Sequence, residues 1–219
     1  MTNLLQQHRY IAIEGPIRAG KSTLARLLAQ HLDAQCMAEP EGNPFLQRFY
    51  RGEKDTAFAT QMWFLHARHQ QLQALAPHHA PTPVVADYIF AKDKIFASLN
   101  LSDTELAIYN RYYQQFSRHV GMPDLVIYLQ ASPRTLKTRM RRKGAVGERE
   151  ISDTYLEQIA RAYDHFFFHY TASDLLVVNT DDIDFVKNHH DLQLLLRRLS
   201  QPVRGTQYFL PLGTRAKSA

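Results

Sequence analysis

Short apolar runs alternate with longer amphipathic stretches along most of the chain. Tyr10-Ile-Ala-Ile-Glu14 is apolar and β-branched, as a strand buried on both faces should be. Comparable runs follow at Gln35 to Ala38, Pro83 to Asp87, Pro123 to Gln130 and Asp174 to Asn179, which gives five predicted strands. Between them the apolar spacing becomes helical. Leu24, Leu27, Leu28 and Leu32 share one face of a helix from Lys21. Further helices are predicted over Asn43 to Tyr50, Thr56 to Ala76, Lys92 to Leu99, Ser102 to His119, Pro133 to Arg142, Ser152 to Tyr170 and Asp184 to Leu199. Ser102 and Glu105 form a capping box, and Ser132 and Ser152 stand where helix N-caps are expected. The tail from Gln201 is predicted to be irregular.

Strands alternating with helices imply an α/β protein with a parallel sheet covered on both faces. No repeat or low-complexity linker divides it, so residues 1–200 read as one domain and 201–219 as a tail. The 219 residues suffice for a sizeable core, and 45% hydrophobic with 21% charged residues is ordinary for a globular protein. No apolar run approaches the roughly 20 residues of a membrane span, and Met1 to Arg9 lacks the apolar segment of a secretory signal. The single cysteine, Cys36, excludes an internal disulfide and fits a reducing, cytoplasmic setting. The net charge of +5 suits anionic small molecules as well as nucleic acid. No Lys/Arg tract of the nucleic-acid kind is present, so no nucleic-acid partner is expected.

The chemistry is concentrated between the first strand and the first helix. Gly15-Pro16-Ile17-Arg18-Ala19-Gly20-Lys21-Ser22, followed by Thr23, satisfies the phosphate-loop pattern G-x-x-x-x-G-K-[ST]. The glycines let backbone N–H groups turn toward phosphate oxygens, and the helix N-terminus adds its positive dipole end. Lys21 would neutralise β/γ-phosphate charge, and the Ser22 hydroxyl would ligate Mg2+. Arg18 is unusual inside such a loop, either as a further phosphate contact or as an outward-facing side chain. The motif in this context predicts a P-loop NTPase three-layer fold: five parallel strands flanked by helices.

Three later segments suggest the phosphate acceptor. They are Glu39-Pro40 continuing to Tyr50, Phe58-Ala-Thr-Gln61 with Arg68, and Ala86-Asp87-Tyr88 with Asp93 and Phe96-Ala97. With the phosphate loop, their order and spacing resemble the deoxynucleoside kinase family, especially its bacterial deoxyadenosine/deoxyguanosine kinase branch, over about Tyr10 to Leu199. The resemblance implies transfer of the ATP γ-phosphate to the 5′-hydroxyl of a deoxynucleoside, with a lean toward purines, in nucleotide salvage. It implies that Glu39 holds that hydroxyl and acts as general base, and that Asp87 sits near Mg2+ and the reacting oxygen. Gln61 and Asp93 would read the base, Arg68 would neutralise Asp93, and Tyr50 and Glu148 would reach the sugar 3′-hydroxyl. Arg139 and Lys143 would belong to a helical lid at about residues 139–150, and Asp184-Phe185 would lie near the adenine.

The sequence departs from the family in three places. Tyr88 replaces an arginine, Lys143 stands where arginine is usual, and Ala145 replaces another. The resemblance also implies a homodimer through paired helices, with which the aromatics Phe166 to Phe168 are compatible. The His66/His69 and His165/His169 pairs lack further ligands and are read as helix surface. The competing readings are a kinase of another acceptor, such as a nucleoside monophosphate, and a non-catalytic nucleotide-binding protein.

Overall fold

A computed structural model of the chain describes residues 8–143 and 151–211. The strands are β1 Tyr10–Glu14, β2 Gln35–Met37, β3 Val84–Ala86, β4 Leu125–Gln130, β5 Asp174–Asn179 and β6 Thr206–Phe209. All pair in parallel, in the order β2-β3-β1-β4-β5-β6. The helices are α1 Lys21–Leu32, α2 Leu46–Tyr50, α3 Thr56–Leu75, α4 Lys92–Asn100, α5 Asp103–Ser117, α6 Pro133–Lys143, α7 Asp153–Phe168 and α8 His189–Leu199.

Two apolar layers enclose the sheet. On one face Leu24, Leu28 and Leu32 of α1 pack with Ile11, Ile13, Leu136 and Leu195. On the other, Leu65 and Leu72 of α3, Ile95 of α4 and Tyr163 and Phe167 of α7 pack on Tyr10, Ala12 and Tyr128. This double burial explains why β1 and β4 read as continuous apolar runs rather than alternating ones. The predicted caps form. Ser102 and Glu105 make both halves of a capping box, and Ser152 Oγ accepts from the Tyr155 amide at 3.1 Å.

The structure corrects two expectations. The tail contains a sixth strand: after Gly205, at φ +61°, β6 adds to the outer edge of β5, with Leu175 opposite Thr206 and Val178 opposite Phe209. The last helix begins at His189 rather than Asp184. Asp184 instead closes a local turn by accepting the Lys187 amide at its carbonyl and carboxylate, and Asn188 provides the cap. That turn sends Phe185 into the core.

Candidate active site

Chain order and sheet order part company at β1, which lies between β3 and β4. The carboxyl ends of β1, β2 and β3 therefore open on one crevice, the place where α/β sheets bind ligands. A cavity of about 980 Å³ fills it. Ile17 to Thr23 of the phosphate loop line it together with Glu39, Tyr50, Gln61, Arg68 and Asp87. Arg139, Asp184 and Phe185 border the phosphate end.

The phosphate loop takes its shape from φ angles open to glycine: Gly20 lies at φ +109°. A Cβ there would also fall 2.8 Å from the Phe185 ring, so the loop and the β5–α8 connection are in direct contact. Arg18 occupies the left-handed region at φ +65°, an uncommon place for a side-chain-bearing residue. Lys21 Nζ donates to the Pro16 carbonyl at 3.2 Å. Burial lowers the proton affinity of Lys21, and the nearby Lys92 ammonium lowers it further.

Asp87, at the end of β3, is buried, with the Ser22 side chain near enough to favour its charged form. Burial raises its pKa against the opposing charge of Lys21. Its Oδ1 is buried without a hydrogen-bond partner. A hydroxyl and a carboxylate with a spare oxygen, beside a phosphate loop, are the oxygen donors that a nucleotide-bound Mg2+ uses.

On the acceptor side a chain of alternating charges begins beneath the loop. Glu14, fully buried, accepts from the Gly15 amide at 2.9 Å, the Ile89 amide at 3.1 Å and the Tyr163 hydroxyl at 3.1 Å. Lys92 Nζ lies 3.8 Å from Glu14 Oε1 and donates to Glu39 Oε2 at 2.9 Å. Arg68 then bridges Glu39 Oε1 and Asp93 Oδ1 through its two terminal nitrogens. Glu39 is 28% exposed and Asp93 is 0% exposed, so of these two only Glu39 presents a carboxylate to the cavity. Burial by itself would raise the pKa of Glu39, but Lys92, Arg68 and Lys21 together hold it well below the usual carboxylate range. Asp93 shares one guanidinium with Glu39, and burial pushes its pKa up to about 6.

The structure thus brings most of the expected residues together around one cavity. Asp93 lies behind Arg68 rather than on the cavity wall. Tyr88 faces away: its hydroxyl donates to Gln71 Oε1 at 2.7 Å. Arg139 donates to the carbonyls of Ala19 at 3.1 Å, Thr180 at 2.6 Å and Ile183 at 3.2 Å, so it ties the phosphate loop to the β5–α8 connection. The Lys143 side chain, Ala145 and Glu148 lie outside the described residues. Lys92, Glu14 and Tyr163 are additions that the sequence reading missed. Glu14, a carboxylate closing an apolar strand run, offered a signal; Lys92, followed by Asp93 and Lys94, did not.

A phosphate loop sharing a crevice with a strand-end carboxylate defines a P-loop phosphotransferase. The chain belongs to the deoxynucleoside kinase family: the family model described as Deoxynucleoside kinase matches residues 11–204. It is 35% identical over 199 residues to a deoxyguanosine kinase of Bacillus subtilis, covering 88% of this chain and 96% of that one. It is 29% identical over 210 residues to a deoxyadenosine kinase of Lactobacillus acidophilus, covering 89% and 96%. The solved structure of deoxyadenosine kinase from M. mycoides with bound dATP superposes with a TM-score of 0.73 at 26% identity, over 87% of this chain and 98% of that one.

Proposed function

We propose that this protein transfers the γ-phosphate of ATP to the 5′-hydroxyl of a purine deoxynucleoside. The observation that carries this reading is the placement of Glu39. It is the one carboxylate of the Glu39–Arg68–Asp93 set open to the cavity, held between two cations and facing the phosphate loop. The cations keep Glu39 ionised at neutral pH, so it accepts a hydrogen bond from the attacking hydroxyl and orients it. Its depressed proton affinity suits a loose phosphoryl-transfer transition state, in which the nucleophile gives up its proton late. The loop amides and Lys21 take the phosphate charge.

Ser22 and Asp87 would hold Mg2+ together with the nucleotide. Bound there, the ion would neutralise charge on the phosphate oxygens. Gln61, buried on α3 and lining the cavity, offers both a donor and an acceptor to a purine edge. Tyr50 also lines the cavity, where it would contact the sugar. The lean toward purines is supported by the names of the Bacillus and Lactobacillus relatives. An acceptor that already carries a phosphate fits less well, because Arg68, a cation on the acceptor wall, is committed to two carboxylates. We place the reaction in nucleotide salvage, in the cytoplasm, by a homodimer. Among the described residues no helix is long and apolar enough to cross a membrane.

The test is turnover of purified protein with ATP, Mg2+ and each of the four deoxynucleosides, with thymidylate as a competing acceptor. Deoxyadenosine or deoxyguanosine is expected to give its 5′-monophosphate. Absence of turnover with all four would refute the reading, and faster turnover of thymidylate would replace it with a monophosphate kinase.

A further inference from the structure

The residue that follows Asp87 brings no charge to the cavity, because Tyr88 points toward Gln71 and Met37. A cation enters from one turn further along. Lys92 opens α4, is buried, and lines the cavity. Its Nζ lies 5.9 Å from the Phe96 ring centroid. Its ammonium group stands between a fixed carboxylate and an adjustable one. Glu14 is fixed by two backbone amides and the Tyr163 hydroxyl. Glu39 sits on the short connection after β2 and has no backbone amide among its described donors.

We propose that Lys92 is the positioning residue for Glu39: it anchors the Oε2 side of the carboxylate to the phosphate-loop framework through Glu14. Arg68 holds the other oxygen. With one cation on each oxygen, the carboxylate has a single orientation, and its remaining lone pairs face the cavity where the hydroxyl arrives. Lysine suits the place because an ammonium is a compact point charge with three donors, enough to serve two carboxylates at once. Although burial works against the charge, Glu14 and Glu39 hold the Lys92 ammonium above its ordinary pKa. The ion pair is therefore present throughout the working pH range.

This inference rests on the kinase reading above and is tested with the full-length protein. Kinetics would be compared for wild type, Lys92→Met, Lys92→Gln, Lys92→Arg and Tyr88→Phe, with thermal melting of each. Misplacing a general base is expected to lower kcat by about 100-fold in Lys92→Met and Lys92→Gln. KM for deoxynucleoside and for ATP should change by less than about 3-fold, since base and phosphate contacts are untouched. Lys92→Arg should recover to within about 10-fold of wild type, and Tyr88→Phe should stay within about 2-fold. Lys92→Met or Lys92→Gln with kcat within 3-fold of wild type would overturn the proposal. So would an equal loss in Met, Gln and Arg variants that tracks a common fall in melting temperature, because that is a packing role only. A wild-type protein inactive on all four deoxynucleosides would sink the kinase reading and this inference together, whereas an active wild type with an unaffected Lys92→Met sinks this inference alone.

Discussion

On the acceptor side of the cavity, charge is met by charge. Glu39 and Asp93 share Arg68, and Lys92 joins Glu39 to Glu14. On the phosphate side, cations also hold backbone carbonyls: Lys21 that of Pro16, and Arg139 those of Ala19, Thr180 and Ile183. The difference matches the two guests of the proposed reaction. A nucleoside is neutral and enters a site whose ions are already paired, so it needs only a directed carboxylate and amide groups. A triphosphate brings several negative charges and takes cations whose bonds to neutral carbonyls are easily exchanged for stronger ones to phosphate.

The contrast can be broken by substitution, from the largest effect to the smallest. Glu39→Gln keeps the shape and removes the proton acceptor, and should lower kcat by about 10²–10⁴-fold, read in steady-state assays with saturating ATP. Asp87→Asn is expected to lower kcat by about 100-fold and to raise the Mg2+ concentration needed for half-maximal rate; a Mg2+ titration of both proteins measures this. Arg18→Gly should raise KM for ATP about 3- to 10-fold, the worth of one partly exposed charged contact, with kcat nearly unchanged. Unchanged ATP affinity and turnover would show that Arg18 stays outside the phosphate-binding set.

The smallest effect concerns pH. Asp93 has a folded-state pKa raised to about 6, so in the window between its unfolded value near 4 and about 6 the folded protein binds the extra proton. Its contribution to stability is therefore present below that window and is lost as pH rises through it. In urea unfolding, the stability of wild type relative to Asp93→Asn should be greater at pH 5 than at pH 7.5. A difference that is the same at both values would contradict the raised pKa.

The sheet was largely legible because β1, β4 and β5 are apolar runs too short for helices, and the phosphate loop fixes where β1 ends. The strand β6 was missed because Thr206-Gln-Tyr-Phe209 alternates weakly: Thr206 and Tyr208 are exposed and Gln207 and Phe209 only half-buried. An edge strand buries too little to mark itself by hydropathy. The site residues at strand ends, Glu39 and Asp87, could be placed from the pattern, since strand ends converge at a switch point. Lys92 could not. At the start of a helix a lysine reads as a solvated cap, and only the packing of α4 against α3 and α7 makes it buried. The start of the last helix was misplaced for a related reason. Helical periodicity ran on through Asp184, but the Asp184 turn competes locally with the helix and wins.

The late position of β6 has a consequence for how the chain is made. Its parallel partner β5 carries Leu175, Leu176, Val177 and Val178, all of them buried in the finished molecule. During synthesis these residues leave the ribosome well before Thr206 to Phe209, and for that interval the outer edge of β5 has free amide and carbonyl groups. Such an edge is a template for pairing with another nascent chain. Thr206 to Phe209 therefore act as a seal, and chains that stop short of Thr206 are expected to aggregate during expression although every proposed catalytic residue is present in them.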